Sequence, residues 1–401
     1  MITLRLHFAA TLSLALVAAL AIASQASAQT EAATTTTESF LDKTHVGSYG
    51  EITATKEEGS THPRLDVARF VLFLDHYFND HWAFKSETEI EHVKLEASAM
   101  GGEVGLEQAY LDWHASSGFG WRVGLLLIPD GIINQTHEPT TFNGVTRPNF
   151  DVEVIPSTWR EIGTGIYGDI AEGVKYQLYV TEGLNGLSFT PTGIYEGKQE
   201  GAAGNAPAVE GSDAVHPAIS GKLEYLPMPG MRIGGSFYYQ AATVGSNTPQ
   251  QELVPIANFD APLGAYFLDA RYDLQSLHLR GEGGIETIGD AYRFERLLGG
   301  VNVPKQVLGG YVEAAYDLLP LFENEPTAEF SIFARYENYG FSYGLMTDNT
   351  TPPSLTRRIL TAGLTLKPVD GIVLKLDWTN YNSSDAAKAV GTLRFGGGYA
   401  F

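Results

Sequence analysis

The stretch LDVARFVLFLDHYFNDHWAFKSETEIEHVK, residues 65 to 94, decides how the chain folds. In its first half one parity gives Ala68, Phe70, Leu72, Leu74 and Phe78, and the other gives Arg69, Val71, Phe73, Asp75 and Tyr77. After Asn79-Asp80 the alternation resumes, with Trp82, Phe84 and Ile90 set against Lys85, Glu87, Glu89 and Glu91. A period of two broken by a turn pair predicts strand, tight turn, strand. Pairing Phe78 with Trp82 places Arg69 opposite Glu91 and Asp75 opposite Lys85, all on one face. The same reasoning pairs Glu224 with Arg232 and Asp269 with Arg280.

A single hairpin would suit a soluble sandwich equally well; the repetition separates the two. Strand cores recur near 45–56, 65–78, 82–95, 104–114, 121–128, 160–170, 174–183 and 218–226. They continue near 231–241, 265–273, 277–288, 306–317, 328–339, 356–367, 372–382 and 389–401, about sixteen in all. Short connections (Asn79-Asp80-His81, Ala171-Glu172-Gly173, Leu274-Gln275-Ser276) alternate with long ones at 129–159, 184–217, 242–264, 289–305 and 340–355. Short turns on one side of a membrane and long loops on the other predict an all-β, transmembrane, antiparallel up-and-down barrel with periplasmic turns and extracellular loops. Phe78, Trp82, Trp113, Trp121, Tyr225, Tyr272 and Tyr316 lie beside short turns on the apolar parity, as an interfacial girdle requires.

Residues 1–28 read as a cleaved Sec signal: Arg5, an apolar run from about Phe8 to Ile22, then Ala26-Ser27-Ala28 before Gln29. That core is too short for a spanning helix, which needs roughly 20 residues. Residues 29–43 read as a flexible lead-in and 44–401 as the barrel. This organisation implies export to the outer membrane of a Gram-negative cell. The absence of cysteine excludes disulfides and thiolate chemistry, and a formal net charge of −21 without basic clusters argues against nucleic acid. The last residues, Leu393, Phe395, Gly397, Tyr399 and Phe401, alternate to the end, a terminal signature suited to recognition by the barrel-assembly machinery.

With the apolar parity in contact with outer-membrane lipid, the other parity lines the interior. The expected pore-lining residues are Arg69, Asp75, Lys85, Glu87, Glu89, Glu91, Asp112, Arg122, Arg160, Lys175, Arg271, Arg280, Arg335, Lys375 and Asp377. Both signs are about equally represented on that parity, which assigns the excess negative charge to loops and turns. A polar lumen in a barrel of this strand number is normally filled with water. The 129–159 connection carries Ile132, Ile133, Phe142, Val145, Phe150, Val152 and Ile155, together with four prolines, so it is expected to fold inward and narrow the pore. Thr136, His137, Glu138 and Arg147 are then its solute-facing residues.

Catalytic patterns are weak. Gly163-Thr164-Gly165-Ile166-Tyr167-Gly168 matches a dinucleotide fingerprint on paper but lies inside a strand with no helix after it. The histidines are scattered without metal-ligand spacing, and no nucleophile elbow accompanies a serine. No enzyme activity, cofactor or metal is expected. At Glu107-Gln108-Ala109-Tyr110-Leu111-Asp112, at Pro129 to Pro139 and at Trp159-Arg160-Glu161-Ile162-Gly163 the chain resembles the phosphate-selective porin O/P group. That resemblance implies a sixteen-stranded, trimeric channel. Phosphate-selective members rely on a ladder of lumenal cations, whereas Glu87, Glu89 and Glu91 stand consecutively here. The reading is a diffusion porin for ions and small polar solutes. A plugged structural or adhesive barrel and an anion-selective porin are the alternatives.

Overall fold

A computed structural model describes residues 40–96, 99–186, 189–194, 216–243, 260–298, 300–322, 327–344 and 354–401. The expected signal and residues 29–39 of the lead-in lie outside the described residues, and Phe40–Lys43 form a 3-10 turn. The strands are β1 (Thr44–Glu57), β2 (Arg64–Tyr77), β3 (Trp82–Glu96), β4 (Ala99–Ser116), β5 (Phe119–Leu127), β6 (Arg160–Ala171), β7 (Val174–Thr181) and β8 (Ala218–Met228). The second half supplies β9 (Met231–Gln240), β10 (Leu263–Leu274), β11 (Leu277–Ile288), β12 (Pro304–Asp317), β13 (Glu329–Tyr343), β14 (Leu355–Val369), β15 (Ile372–Ser383) and β16 (Val390–Ala400). Each strand pairs antiparallel with its chain neighbours, and β16 pairs with β1 to close the barrel. Closure pairs the backbone groups that a free edge would expose, which a lipid environment demands.

Alternation does the sorting. Along β13, Ser331, Phe333, Arg335, Glu337, Tyr339 and Phe341 are buried inside, while Ile332 and Tyr336 are exposed on the outer face. Leu268 is 73% exposed, and Phe70, Leu279 and Leu376 share its outward orientation. At the short-turn end Trp82 lies in register with Trp113, and Trp113 with Trp121. Their rings stack at 6.1 Å (Trp82–Trp113) and meet edge-on at 6.2 Å (Trp82–Trp121), part of the expected girdle.

The β2–β3 register is the one the sequence predicts, Arg69 opposite Glu91 and Asp75 opposite Lys85. Asn79 Oδ1 accepts from the His81 and Trp82 amides and so fixes the turn. The β10–β11 pairing differs from expectation: Asp269 faces Glu282, and Arg271 faces Arg280. The cause is a tight two-residue connection, with Leu274 paired to Leu277 and Gln275 at φ 51°. Glu224 sits opposite Gly234, and Arg232 reaches it diagonally at 3.5 Å.

Connections at the loop end are not uniformly long. Only residues 58–63, 97–98 and 384–389 join β1 to β2, β3 to β4 and β15 to β16. Nor is the interior polar throughout. Phe150, Trp159, Phe267, Phe294, Tyr339 and Phe341 belong to an apolar core inside the wall, built by wall residues together with the inward-folded connections.

Candidate functional site

The connection between β5 and β6 is the central feature of the lumen. Its base is stapled by Asn134, whose Nδ2 donates to the Ile128 and Trp159 carbonyls at 2.7 and 3.0 Å while its Oδ1 accepts from the Trp159 amide at 2.7 Å. Beyond the staple the chain crosses the interior. Lys222 on β8 donates to the Gly131 carbonyl, and the Ile132 amide donates to Glu282 on β11 at 3.0 Å. Gln135 and Gln177 on β7 exchange side-chain amide bonds at 3.0 Å.

The tip reaches the opposite wall. Asn143 donates to Glu313 on β12 at 3.0 Å, and the Val145 amide donates to Asp377 on β15 at 2.6 Å. Pro139 and Val145 lie so close to β16 that a Cβ on Gly398 or Gly396 would come within 2.7 and 2.9 Å of them, which explains glycine at these positions. The return limb carries a single helical turn, α1 (Phe150–Glu153), whose Phe150 amide donates to Glu337 on β13 at 2.8 Å. Arg335 holds both wall and loop. It contacts Glu313 and Glu337 at 3.1 Å each and donates to the Asn143 carbonyl at 3.2 Å.

The residues singled out in the sequence distribute as follows. Arg69 lies inside with Glu51 at 2.9 Å, Glu89 at 3.6 Å and Glu91 at 4.0 Å. Asp75 and Lys85 pair at 3.7 Å, Asp112 and Arg122 at 3.1 Å, and Arg280 meets Glu313 at 3.3 Å. Arg271 joins Glu224 at 3.9 Å, Asp377 accepts from Arg394 at 3.3 Å, and the Lys375 ammonium sits 3.7 Å from the centre of the Phe142 ring. Lys175 pairs with Asp169 at 2.9 Å beside a short turn, where both are largely exposed.

Arg160 sits at a strand end. Glu161, its neighbour, points inward to Trp159, Thr181 and Tyr238, so the Arg160 backbone has the parity of Ile162, yet its guanidinium reaches to 3.4 Å of where a Cβ on inward-facing Gly105 of β4 would stand. Its guanidinium turns to the Thr158 carbonyl at the strand end (3.4 Å). In the loop, Thr136 caps the Ile132 carbonyl at 2.8 Å. Arg147 bridges Ser157 and the His137 carbonyl at 3.0 and 3.2 Å, tying the two limbs together. Glu138 is half-buried, and its carbonyl accepts from Thr141. Burial pushes the Arg147 guanidinium below its usual range, and Arg69 adds to the effect.

His137 is the residue whose surroundings the sequence did not disclose. Its Nδ1 lies 2.9 Å from the Asn134 carbonyl, and its Nε2 lies 2.8 Å from the Tyr49 hydroxyl, 3.4 Å from Glu107 and 3.7 Å from Glu87. Burial alone would lower its pKa, but Glu107 and Glu87 prevail and raise it to about 9. Glu107 enters the lumen through a bulge. Leu111 and Ala109 share one parity with Trp113, but Leu106 and Val104 take over the outward face beyond Gln108, turning Glu107 in. A lone glutamate on an apparently lipid-facing parity was the only sequence signal.

The loop brings in further charges not anticipated for the lumen. Burial raises Asp130 to about 8 despite Lys222 nearby, and raises Asp151 to about 7. With Glu107 and Glu161 included, twelve carboxyl groups against five lysines and arginines are fully buried among the described residues. The fully buried set is thus rich in carboxyl groups, while the wall cations Arg69, Lys85, Arg122, Arg271, Arg280 and Arg394 keep partial exposure.

No known family model matches the chain. Its fold is similar to Salmonella typhi OmpF complexed with daunomycin (TM-score 0.59, 10% identity, 89% of this chain and 97% of that one). It is also similar to OmpT of Vibrio cholerae (TM-score 0.53, 10% identity, 90% and 98%) and to an anion-selective porin from Comamonas acidovorans (TM-score 0.52, 11% identity, 89% and 100%). The closed sixteen-strand barrel thus shares the fold of these outer-membrane proteins. The chain belongs to the family of an uncharacterized protein of Aquifex aeolicus, to which it is 30% identical over 352 residues, 85% of this chain and 76% of that protein.

Proposed function

We propose that the protein is a passive diffusion porin for ions and small polar solutes that prefers cations, with the Pro129–Trp159 connection as its constriction. The observation that carries this reading is the inward-folded loop lying across an interior with more buried carboxylates than cations. Rings of acidic side chains favour cations at close quarters. Arg394 on β16, Arg69 on β2 and Glu91 on β3 keep 17%, 13% and 27% of their side chains exposed.

Conductance and reversal potential in planar bilayers under a salt gradient test the proposal. Cation preference is the expected result, and chloride preference would overturn it. Removing residues 134–150 should raise single-channel conductance; unchanged conductance in a folded deletion would reject the loop as constriction.

A second reading, a structural barrel with a plugged lumen, draws on the loop's bonds to opposite walls and its share of the apolar core. It predicts a silent parent and a conducting deletion. An anion-selective channel of the porin O/P type is supported less, since the acids outnumber the cations that a phosphate ladder needs. Signal cleavage before Gln29, homotrimer assembly and recognition of Phe401 by the assembly machinery complete the proposal. Phe401 fits that role, with its backbone paired to Ser48 and its ring 81% exposed.

A further inference from the structure

The geometry points to a divalent metal site, for a first-row ion such as zinc, formed by His137 of the loop with Glu87 and Glu107 of the wall. The inference is independent of the channel reading. These three groups offer ligand atoms all within 4.8 Å of one another, and all three are buried. Zinc bonds to nitrogen and carboxylate oxygen are about 2.0–2.2 Å, so the edge of a tetrahedral site is about 3.4 Å. The Nε2 of His137 stands 3.4 Å from Glu107 Oε2 and 3.7 Å from Glu87 Oε1. Those separations match polyhedron edges and exceed the roughly 2.7–2.9 Å of a charge-assisted hydrogen bond.

Hydrogen bonding alone also leaves the cluster unsatisfied. The Tyr49 hydroxyl donates to Glu107 Oε2 at 3.2 Å and Gln108 donates to Glu87 Oε2 at 2.6 Å, while the imidazole Nε2 lies 2.8 Å from the Tyr49 oxygen. Glu107 is fully buried and its Oε1 has no hydrogen-bond partner; the same holds for Oε1 of neighbouring Glu89. A buried carboxylate oxygen without a donor costs free energy that a bound cation would recover. The other ring nitrogen is held by the Asn134 carbonyl at 2.9 Å. That contact orients the ring with Nε2 as the ligand atom, from which a metal would displace the proton and the Tyr49 contact, and it is the outer-shell arrangement common to metal-bound histidines. A mixed nitrogen and carboxylate set of low number suits zinc, cobalt or manganese better than calcium, which takes 6–8 oxygens.

Purified, chelator-treated, folded barrel is titrated with zinc chloride against a chromophoric chelator. The parent should bind one equivalent that folded His137→Ala and Glu107→Gln variants bind more than about 100-fold more weakly, since even outer-shell changes cost about 10–100-fold. Comparing parent with variant separates this equivalent from zinc on exposed histidines. Cobalt provides a second measurement needing no variant: the intense visible bands of a four-coordinate ion are expected in the parent. Equal zinc binding by parent and folded variants, or a six-coordinate cobalt spectrum like that of the aqueous ion, would overturn the site. Should His137→Ala fail to fold, Glu87→Gln retains the volume and the cobalt spectrum of the parent decides.

Discussion

The short-turn end of the barrel and its middle hold their charges by different rules. At the short-turn end, partners are close in the chain: Arg122 and Asp112, 10 residues apart, meet across one hairpin. At mid-barrel, beneath the inward-folded loop, the Val145 amide and Asp377 are 232 residues apart and meet only through the long-range fold of the chain. The first kind of contact follows from register and keeps some access to water. The second is dry, depends on the whole topology, and should dominate the response to mutation.

Arg335→Ala should have the largest effect. It would leave Glu313 and Glu337 buried without their shared cation, at a cost of about 3–5 kcal/mol. Equilibrium unfolding in denaturant would measure it, and a loss below about 1 kcal/mol would erase the distinction between the two regions. On the outer face, Leu268→Arg should cost about 2–4 kcal/mol in lipid if its position is near the midplane. An unaffected barrel would overturn the parity assignment.

A pH dependence sharpens the contrast further. Asp130 has its folded-state pKa raised from 3.8 to about 8. Its protonated form therefore contributes stability that is fully present below about pH 4 and lost as pH rises through about 8. Between pH 5 and pH 9 the parent's melting temperature should fall more than that of Asp130→Asn; parallel curves would show the carboxyl to be already solvated. The smallest effect belongs to Asp75 and Lys85. A double-mutant cycle there should give about 0–1 kcal/mol, diminishing with salt.

The same contrast explains what the sequence made legible. Strand number and the β2–β3 register could be read because period two and a turn held by Asn79 are local. Arg160 could not be placed, because at a strand's end a side chain can turn along the rim whatever its parity. The pairing of Asp269 with Glu282 needed the length of the turn at Gln275, which shifts every partner along the hairpin. Within the candidate site, the loop's inward course was foreshadowed by its apolar residues and prolines. Glu107 was hidden by a bulge, and the meeting of His137 with Tyr49, 88 residues apart, arises only from closure.

The loop's seat on β16 also constrains the order of events during assembly. Gly396 and Gly398 receive Val145 and Pro139, while Tyr49 on β1 receives His137, so the resting place straddles the seam where the last strand meets the first. Until that seam forms, this landing surface does not exist, and contacts of such long sequence separation are slow to form. Seating of the loop is thus a late step that follows closure. Trp159, fully buried at the loop's base with its ring 4.5 Å from that of Tyr238, is a built-in reporter. Its fluorescence should reach the native value after heat-resistant mobility appears, and the delay would time the final step of folding.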